Sequence, residues 1–425
     1  MVKQTITEKI IAKHCRKKEV NPGEFVESDV DIALSNDITS PLTINQFKLL
    51  NKKIFNRNKI VIVLDHFVPN KDIASAEQCK MVREFAKKNN LKYFFDGATA
   101  GIEHALLPEQ GLILPGYVVI GADSHTCTYG ALGCFSTGVG STDLACVWAT
   151  GKIWLRVPES IKFIYYGKLN KWVYGKDLIL YTIGKIGVNG ANYKSMEFTG
   201  EVIQRLSIAD RFTICNMAIE SGAKSGIIEP DEITFNYIMQ IKNKKNVIDK
   251  QLWADLKSDK DAEYSKIIEI NCNEIEPIVA LPHLPSNITS VNKLRKKIWV
   301  DQVVIGSCTN GRLEDLRIAS KVLKGRKVNS NVRLLIFPAT PTIYKQALKE
   351  GLIDIFINSG GIICPPTCGP CLGGHLGILA KGEKCIATTN RNFVGRMGHL
   401  ESEIYLANPA VAAASAISGY ITEPE

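Results

Sequence analysis

No stretch of the sequence stays apolar over the roughly 18 residues that a membrane-spanning helix needs, so a helical span is not expected. The first twenty residues, MVKQTITEKIIAKHCRKKEV, carry scattered charges and no small-residue cleavage site. They lack the features of a secretory leader, which makes the cytoplasm the expected location. Histidine is scarce, with seven in 425 residues. A single C-x-x-C pair occurs, without the second pair that a zinc ribbon would want. GVGSTDLA (138–145) lacks the Gly-Lys-Ser/Thr that completes a phosphate loop, and it reads as a packing and cleft-lining segment. Short-period repeats and low-complexity tracts are absent as well.

What is present belongs to a soluble globular protein. Hydrophobic residues make up 45% and charged residues 22% of the chain, both ordinary values. The length allows several domains at about 100–200 residues each. Twelve cysteines in a chain without an export signal suit a reducing compartment, where thiols and metal ligands are expected rather than disulfides. The net charge of +9 comes from lysines spread along the chain. The densest run, KNKKNVIDKQ (242–251), has no interleaved arginines or aromatics, so it reads as a solvated face and not as a nucleic-acid surface.

Short β-branched runs alternate with amphipathic helical stretches. Strands are predicted within 58–67, 92–96, 116–123, 162–167, 299–307 and 333–339, and helices at 74–90, 312–325 and 342–351. This alternation predicts an α/β fold with mostly parallel sheets covered by helices on both faces. Seams at 156–160 and at the Pro-, Ser- and Asn-rich stretch 276–291 divide the chain into three α/β domains, 1–157, 158–280 and 281–425. Unusual polar residues follow the strands: Asp65 and His66 after IVIVL, Asp123, Ser124 and His125 after YVVIGA, and Cys308 after QVVIGS. Open α/β sheets bind ligands outside the carboxyl ends of their strands, so these residues predict one shared cleft.

GGIICPPTCGPCLGG (360–374) holds three cysteines. Cys368 and Cys371 form a C-x-x-C pair whose flanking glycines permit both sulfurs to face one metal centre. Counting Cys364 gives C-x3-C-x2-C, the cysteine spacing of radical S-adenosylmethionine enzymes. Those enzymes resemble (β/α) barrels with the motif towards the N-terminal side, whereas here it comes late, after two expected domains. Cys308, at a predicted strand end with TNG opening a helix behind it, is the preferred third ligand. Three thiolates are one fewer than hold an electron-transfer cluster. A [4Fe–4S] cube bound by three cysteines keeps one iron free to act as a Lewis acid.

GSCTNGR (306–312), CGPCLGG (368–374), GADSHT (121–126), LDHF (64–67) and NRNFVGR (390–396) together resemble the aconitase superfamily, from NDITSPLTI (36–44) to the end of the chain. The resemblance implies three α/β/α domains around a [4Fe–4S] cluster held by Cys308, Cys368 and Cys371, with Cys364 matching no ligand. It implies dehydration and rehydration of a hydroxy acid. Asp65 with His66, His104 with Asp123, and His125 with Glu220 match His–carboxylate pairs of the family. Asn216 matches a position that hydrogen-bonds beside the cluster, and Ser124 lies in the same motif as Asp123. Asn216 and Ser124 are both expected among the substrate-binding residues. Arg391 and Arg396 resemble arginines that grip substrate carboxylates, a task suited to the two-pronged guanidinium.

Single-chain aconitases carry a fourth, swivelling domain that supplies the serine base, and no motif resembling it is present. The chain is therefore expected to be inactive alone and to work with a separate small subunit as a heterodimer or heterotetramer. Pro41 in DITSPLT stands where aconitase has a glutamine that contacts substrate. This favours the isopropylmalate and homoaconitate branch over citrate. The expected reaction is interconversion of 2- and 3-isopropylmalate, with homoaconitate and alkylmalates such as dimethylmalate as the alternatives. A cluster-sensing RNA-binding regulator and a zinc-binding structural protein are readings from other classes. RNA binding by the apo-chain would favour the first, and zinc without sulfide the second.

Overall fold

In the computed structural model, which describes residues 3–241, 253 and 255–425, three sheets account for the predicted α/β pattern. The lysine run 242–251 lies outside the described residues. The first sheet has five parallel strands in the order Tyr93–Phe95, Ile60–Val63, Ile32–Asn36, Val118–Gly121, Phe135–Gly138. Its strand IVIV is β-branched along its whole length, which suits a pleated sheet covered on both faces. Alternate residues serve different cores: Ile60 and Ile62 join a cluster with Phe47, Phe85 and Trp148, while Val61 and Val63 point into the other. Helix Ile73–Lys88 packs along this sheet, started by Asp72, whose Oδ1 accepts from Ser75 N at 2.7 Å.

The second sheet is also all-parallel, in the order Ser225–Ile227, Ser195–Thr199, Ser160–Tyr166, Lys266–Asn271. The third has seven strands, of which Glu403–Ala407, Lys384–Ala387, Gln302–Ile305, Arg333–Ile336 and Ile362–Ile363 are parallel neighbours. The stretch 276–291, expected as an aperiodic seam, instead forms an antiparallel hairpin of Ile278–Ala280 and Ile288–Ser290 on the edge of this sheet. Two three-residue strands are too short to show a period of two, which is why the sequence hid them. One hydrophobic core runs through these three of the four sheets, containing Leu34 and Val63, Phe163 and Phe198, and Val304 and Leu406. Among the described residues no helix is long and apolar enough to cross a membrane.

The GVGSTDLA segment does not line the cleft as expected. Gly140 caps helix Ser141–Thr150, which buries Leu144 and Ala145 on the far side of the first sheet. Another glycine is decisive. Gly130, in the 3-10 segment Ser124–Leu132, sits against the second sheet, where an added Cβ would lie 1.7 Å from Gly226 O. Ile228 N donates to Gly130 O at 3.0 Å across the same junction. This approach sets the turn carrying His125 against the unit carrying Asn216 and Glu220. Gly130→Ala is expected to force the two units apart and to cost about 1–3 kcal/mol or more, seen as a lower thermal midpoint and a loss of soluble protein.

Candidate active site

Strand Gln302–Ile305 ends at Gly306, whose φ of 151° and packing against Phe337, 2.6 Å from an added Cβ, leave no room for a side chain. Thr388 Oγ1 accepts from Gly306 N at 2.9 Å and donates to Gly306 O at 3.0 Å. Ser307 follows at φ 75°, a left-handed conformation that costs a non-glycine residue about 1–3 kcal/mol. The strained turn carries Cys308 into the short helix Ser307–Asn310, so helix begins before the cysteine and not at the TNG behind it. Of the other two cysteines, Cys368 caps the 3-10 turn Gly369–Leu372 and Cys371 lies within it, and that loop is tied to the first sheet. Cys368 N and Thr367 Oγ1 donate to the backbone carbonyl of Asp65 at 2.8 and 2.6 Å.

Cys308, Cys368 and Cys371 are buried and line one cleft. Asn216 Nδ2 and Asn390 Nδ2 donate to Cys308 Sγ at 3.2 and 3.3 Å, and Ser307 Oγ lies 3.8 Å from Cys371 Sγ. Burial, followed by the neighbouring Cys371, pushes the Cys308 thiol up to about 12. The hydrogen bond between Cys368 and Cys371 holds Cys371 well below the ordinary thiol range and Cys368 above it. Three sulfurs converge in a dry site where amide N–H groups already point at sulfur. That donor set fits an iron–sulfur centre, whose thiolates take such hydrogen bonds. Cys364 is elsewhere: it follows strand Ile362–Ile363 and lines a separate groove with Val68, Pro69, Tyr344 and Pro365.

The three His–carboxylate pairs also meet in this cleft. His66 Nδ1 donates to Asp65 Oδ1 at 2.7 Å, and Asp37 Oδ1 lies 3.6 Å from the same nitrogen. Burial opposes the charge on His66, but Asp65 and Asp37 outweigh it and raise the imidazole well above its usual range, which favours the protonated ring. With Nδ1 committed, Nε2–H is the donor left for the cleft. His104 Nε2 lies 3.0 Å from Asp123 Oδ1, and its Nδ1 lies 3.1 Å from Tyr129 Oη. Here burial prevails and lowers the imidazole's pKa. His104 is therefore neutral, donating from Nε2 to Asp123 and accepting from Tyr129 at Nδ1. His125 Nε2 lies 2.9 Å from Glu220 Oε1, and Ser124 Oγ lies 3.4 Å from its Nδ1. Asp123 Oδ1 also accepts from His125 N at 2.7 Å.

Arg391 Nε donates to Glu220 Oε1 at 2.8 Å. Burial would raise the Glu220 carboxyl, but His125 and Arg391 hold it below its usual range. Arg396 lines the same cleft, with its Nε buried and unpartnered among the described residues. Asn216 departs from the expectation of substrate contact: it is fully buried behind Cys308, bonded to Thr128 Oγ1 at 2.8 Å. Glu220 likewise stands behind His125 and Arg391 and does not itself line the cleft.

Several functional groups were missed by sequence reasoning. Asp37 accepts from the backbone N–H groups of Asp65, His66 and Phe67 at 3.2, 3.0 and 2.6 Å, fixing the LDHF turn. Its signal was the one that flagged Asp65, a buried acid just after a strand. Glu103 lines the cleft beside His104, and Asn390 opens the NRNFVGR motif. Lys176, fully buried, donates to the carbonyls of Thr388 and Thr389 at 2.8 and 2.5 Å and so clamps the segment leading to Asn390. Nothing local in YGKDL marks it. Size does not identify the site either: a larger groove of about 940 Å³ lined by Phe47, Lys52 and Phe85 holds none of these residues.

The chain matches the model of the aconitase family (aconitate hydratase) over residues 8–299 and 292–419. It is 62% identical over 423 residues to a protein of Endomicrobium trichonymphae named 3-isopropylmalate dehydratase large subunit, covering 99% of both chains. A protein of the same name from Thermodesulfovibrio yellowstonii is 63% identical over 422 residues, covering 99% of this chain and 98% of that one. One from Pyrococcus furiosus, the large subunit 1, is 60% identical over 423 residues, covering 99% and 98%.

Cysteine-to-serine variants separate the thiols. After anaerobic reconstitution, Cys308→Ser, Cys368→Ser and Cys371→Ser are each expected to lose most bound iron and acid-labile sulfide, whereas Cys364→Ser keeps both. Equal loss at Cys364 would contradict the assignment.

Proposed function

The chain belongs to the aconitase family, and on that premise we propose that it is the large, iron–sulfur subunit of a 3-isopropylmalate dehydratase. It interconverts 2- and 3-isopropylmalate by dehydration and rehydration in leucine biosynthesis. Its full-length identity to proteins of that name supports this reading. The observation that carries it is the meeting of three thiols, three carboxylate-held imidazoles and two arginines in one cleft.

Cys308, Cys368 and Cys371 would hold a [4Fe–4S] cluster, which would supply Lewis acidity when bound. Asn216 and Asn390 steady the Cys308 sulfur. Arg391, with Nε fixed on Glu220, keeps its terminal nitrogens for a substrate carboxylate, and Arg396 serves the second. His66 delivers a proton from Nε2 to the departing hydroxyl; Asp65 stabilises the charged ring before transfer and holds the Nδ1–H of the neutral ring after it. His104 and His125, each aligned by a carboxylate, line the cleft around the substrate with Ser124 beside them. A small subunit closes the cleft and delivers the base that takes the carbon-bound proton. Phe393 and Val394, exposed between Arg391 and Arg396, give that partner an apolar surface.

Three measurements test the reading. Anaerobic co-expression with the small subunit is expected to give 3-isopropylmalate from 2-isopropylmalate, followed by NMR, while the loaded chain alone gives none. Turnover without a partner would sink the two-subunit assignment, and turnover of homoaconitate alone would move the substrate. In the active complex, kcat is expected to fall as pH rises through the raised pKa of His66, because the protonated ring is the donor. His66→Asn should lower kcat by about 10²–10⁴-fold with the cluster retained.

A further inference from the structure

Three carboxyl groups crowd one wall of the cleft, and two of them are each held by an imidazole. Asp65 holds His66, and Asp123 accepts from His104 Nε2 and from His125 N. Glu103 has no such partner. Its Oε1 accepts from the Asn36 amide at 2.9 Å. The imidazole nitrogen beside it, His104 Nε2, is 3.6 Å from Oε1 and already committed to Asp123. Its Oε2 is buried and meets no hydrogen-bond partner among the described residues. The residue is 1% exposed and lines the cleft.

An ionised Glu103 would place a third negative charge beside Asp65 and Asp123, in a site that must admit a dianion. Carboxyl groups crowded in this way do not all ionise, and the proton settles on the one with the fewest hydrogen-bond donors. Since Oε1 takes an amide hydrogen, the proton belongs on Oε2. From these contacts we propose that Glu103 is a substrate-contacting, specificity-determining residue. It enters the cycle as the neutral acid and donates a hydrogen bond from Oε2 to a carboxylate oxygen of the diacid substrate. The assignment rests on the dehydratase reading of the cleft. Burial, then the charges of Asp65 and Asp123, raises the Glu103 carboxyl well above its usual range, while His66 opposes them. Other titratable groups near it are neutral His104, Tyr129, whose hydroxyl lies 3.4 Å from Glu103 O, and Arg312, whose Nη2 donates to His104 O at 3.2 Å. Cys308 packs with the flanking Ile102 and Ala105, and His125, Arg391 and Arg396 line the same cleft.

Glutamine is the discriminating substitution. In Glu103→Gln the amide oxygen can keep the Asn36 bond while the NH₂ group replaces the acid O–H. With the cluster-loaded, two-subunit enzyme, Glu103→Gln is expected to keep KM for isopropylmalate within about threefold of wild type at neutral pH. It should also abolish the rise in KM that wild type shows as pH climbs through the raised Glu103 pKa. Glu103→Leu should raise KM by about tenfold or more with a smaller change in kcat and unchanged iron content. An unchanged KM in Glu103→Leu, or an alkaline rise in KM that persists in Glu103→Gln, would overturn the assignment. If Glu103→Leu does not fold, the glutamine pH profile decides alone. If wild type does not turn over isopropylmalate, the dehydratase reading has failed separately. Calorimetric binding of substituted malates to the same variants then reads the Glu103 contact.

Discussion

Asp65 is fully buried, and each of its acceptors is committed to the cleft. Its backbone carbonyl takes the Cys368 and Thr367 donors, Oδ1 orients His66, and Oδ2 accepts from Glu103 N at 2.8 Å. One residue at the end of one strand therefore joins the cysteine loop of the third sheet to an imidazole and a helix of the first. A buried carboxyl pays for its desolvation only if all its lone pairs are used, and here their partners are site residues. Asp37 repeats the logic one step back by accepting three consecutive N–H groups of the turn that presents Asp65.

The cleft is an electrostatic compromise. It gathers acids to steer imidazoles, yet it must take an anionic substrate beside anionic sulfur. The compromise is local. His66 favours the charged form because two carboxylates face it, and His104 stays neutral because burial outweighs its single acid. Glu220 is offset from two sides by His125 and Arg391. The chemistry thus depends on where protons reside, and that allocation is set by packing more than by residue type.

The motifs were legible because chemistry needs particular residues close together in sequence: the C-x-x-C turn, LDHF, GADSHT and NRNFVGR each carry a site group at a strand end. The choice of Cys308 over Cys364 followed the same reasoning, and Cys364 lines a different groove. What failed had weak local signals. The hairpin at 278–290 has strands too short for periodicity. GVGSTDLA was expected to pack and to line the cleft; it packs, with Gly140 capping a helix, but none of it is among the cleft-lining residues. Asn216, expected to hydrogen-bond beside the cluster and among the substrate-binding residues, donates to Cys308 Sγ and is fully buried. Lys176 and Asp37 act through backbone atoms far away in sequence, which no spacing reveals.

The sequence by itself determined the α/β class, the inventory of reactive side chains and the family to which they belong. Period-two and helical patterns, strand-end polar residues and C-x-x-C spacing are local properties that survive without coordinates. Only the tertiary structure decided which groups share a proton, which carboxyls have a counter-charge, and that Glu103 keeps an unpartnered oxygen in the cleft. Those outcomes depend on distances between elements far apart in the chain and on the exclusion of water from the space between them. Both arise only when the first and third sheets bring the ends of their strands together.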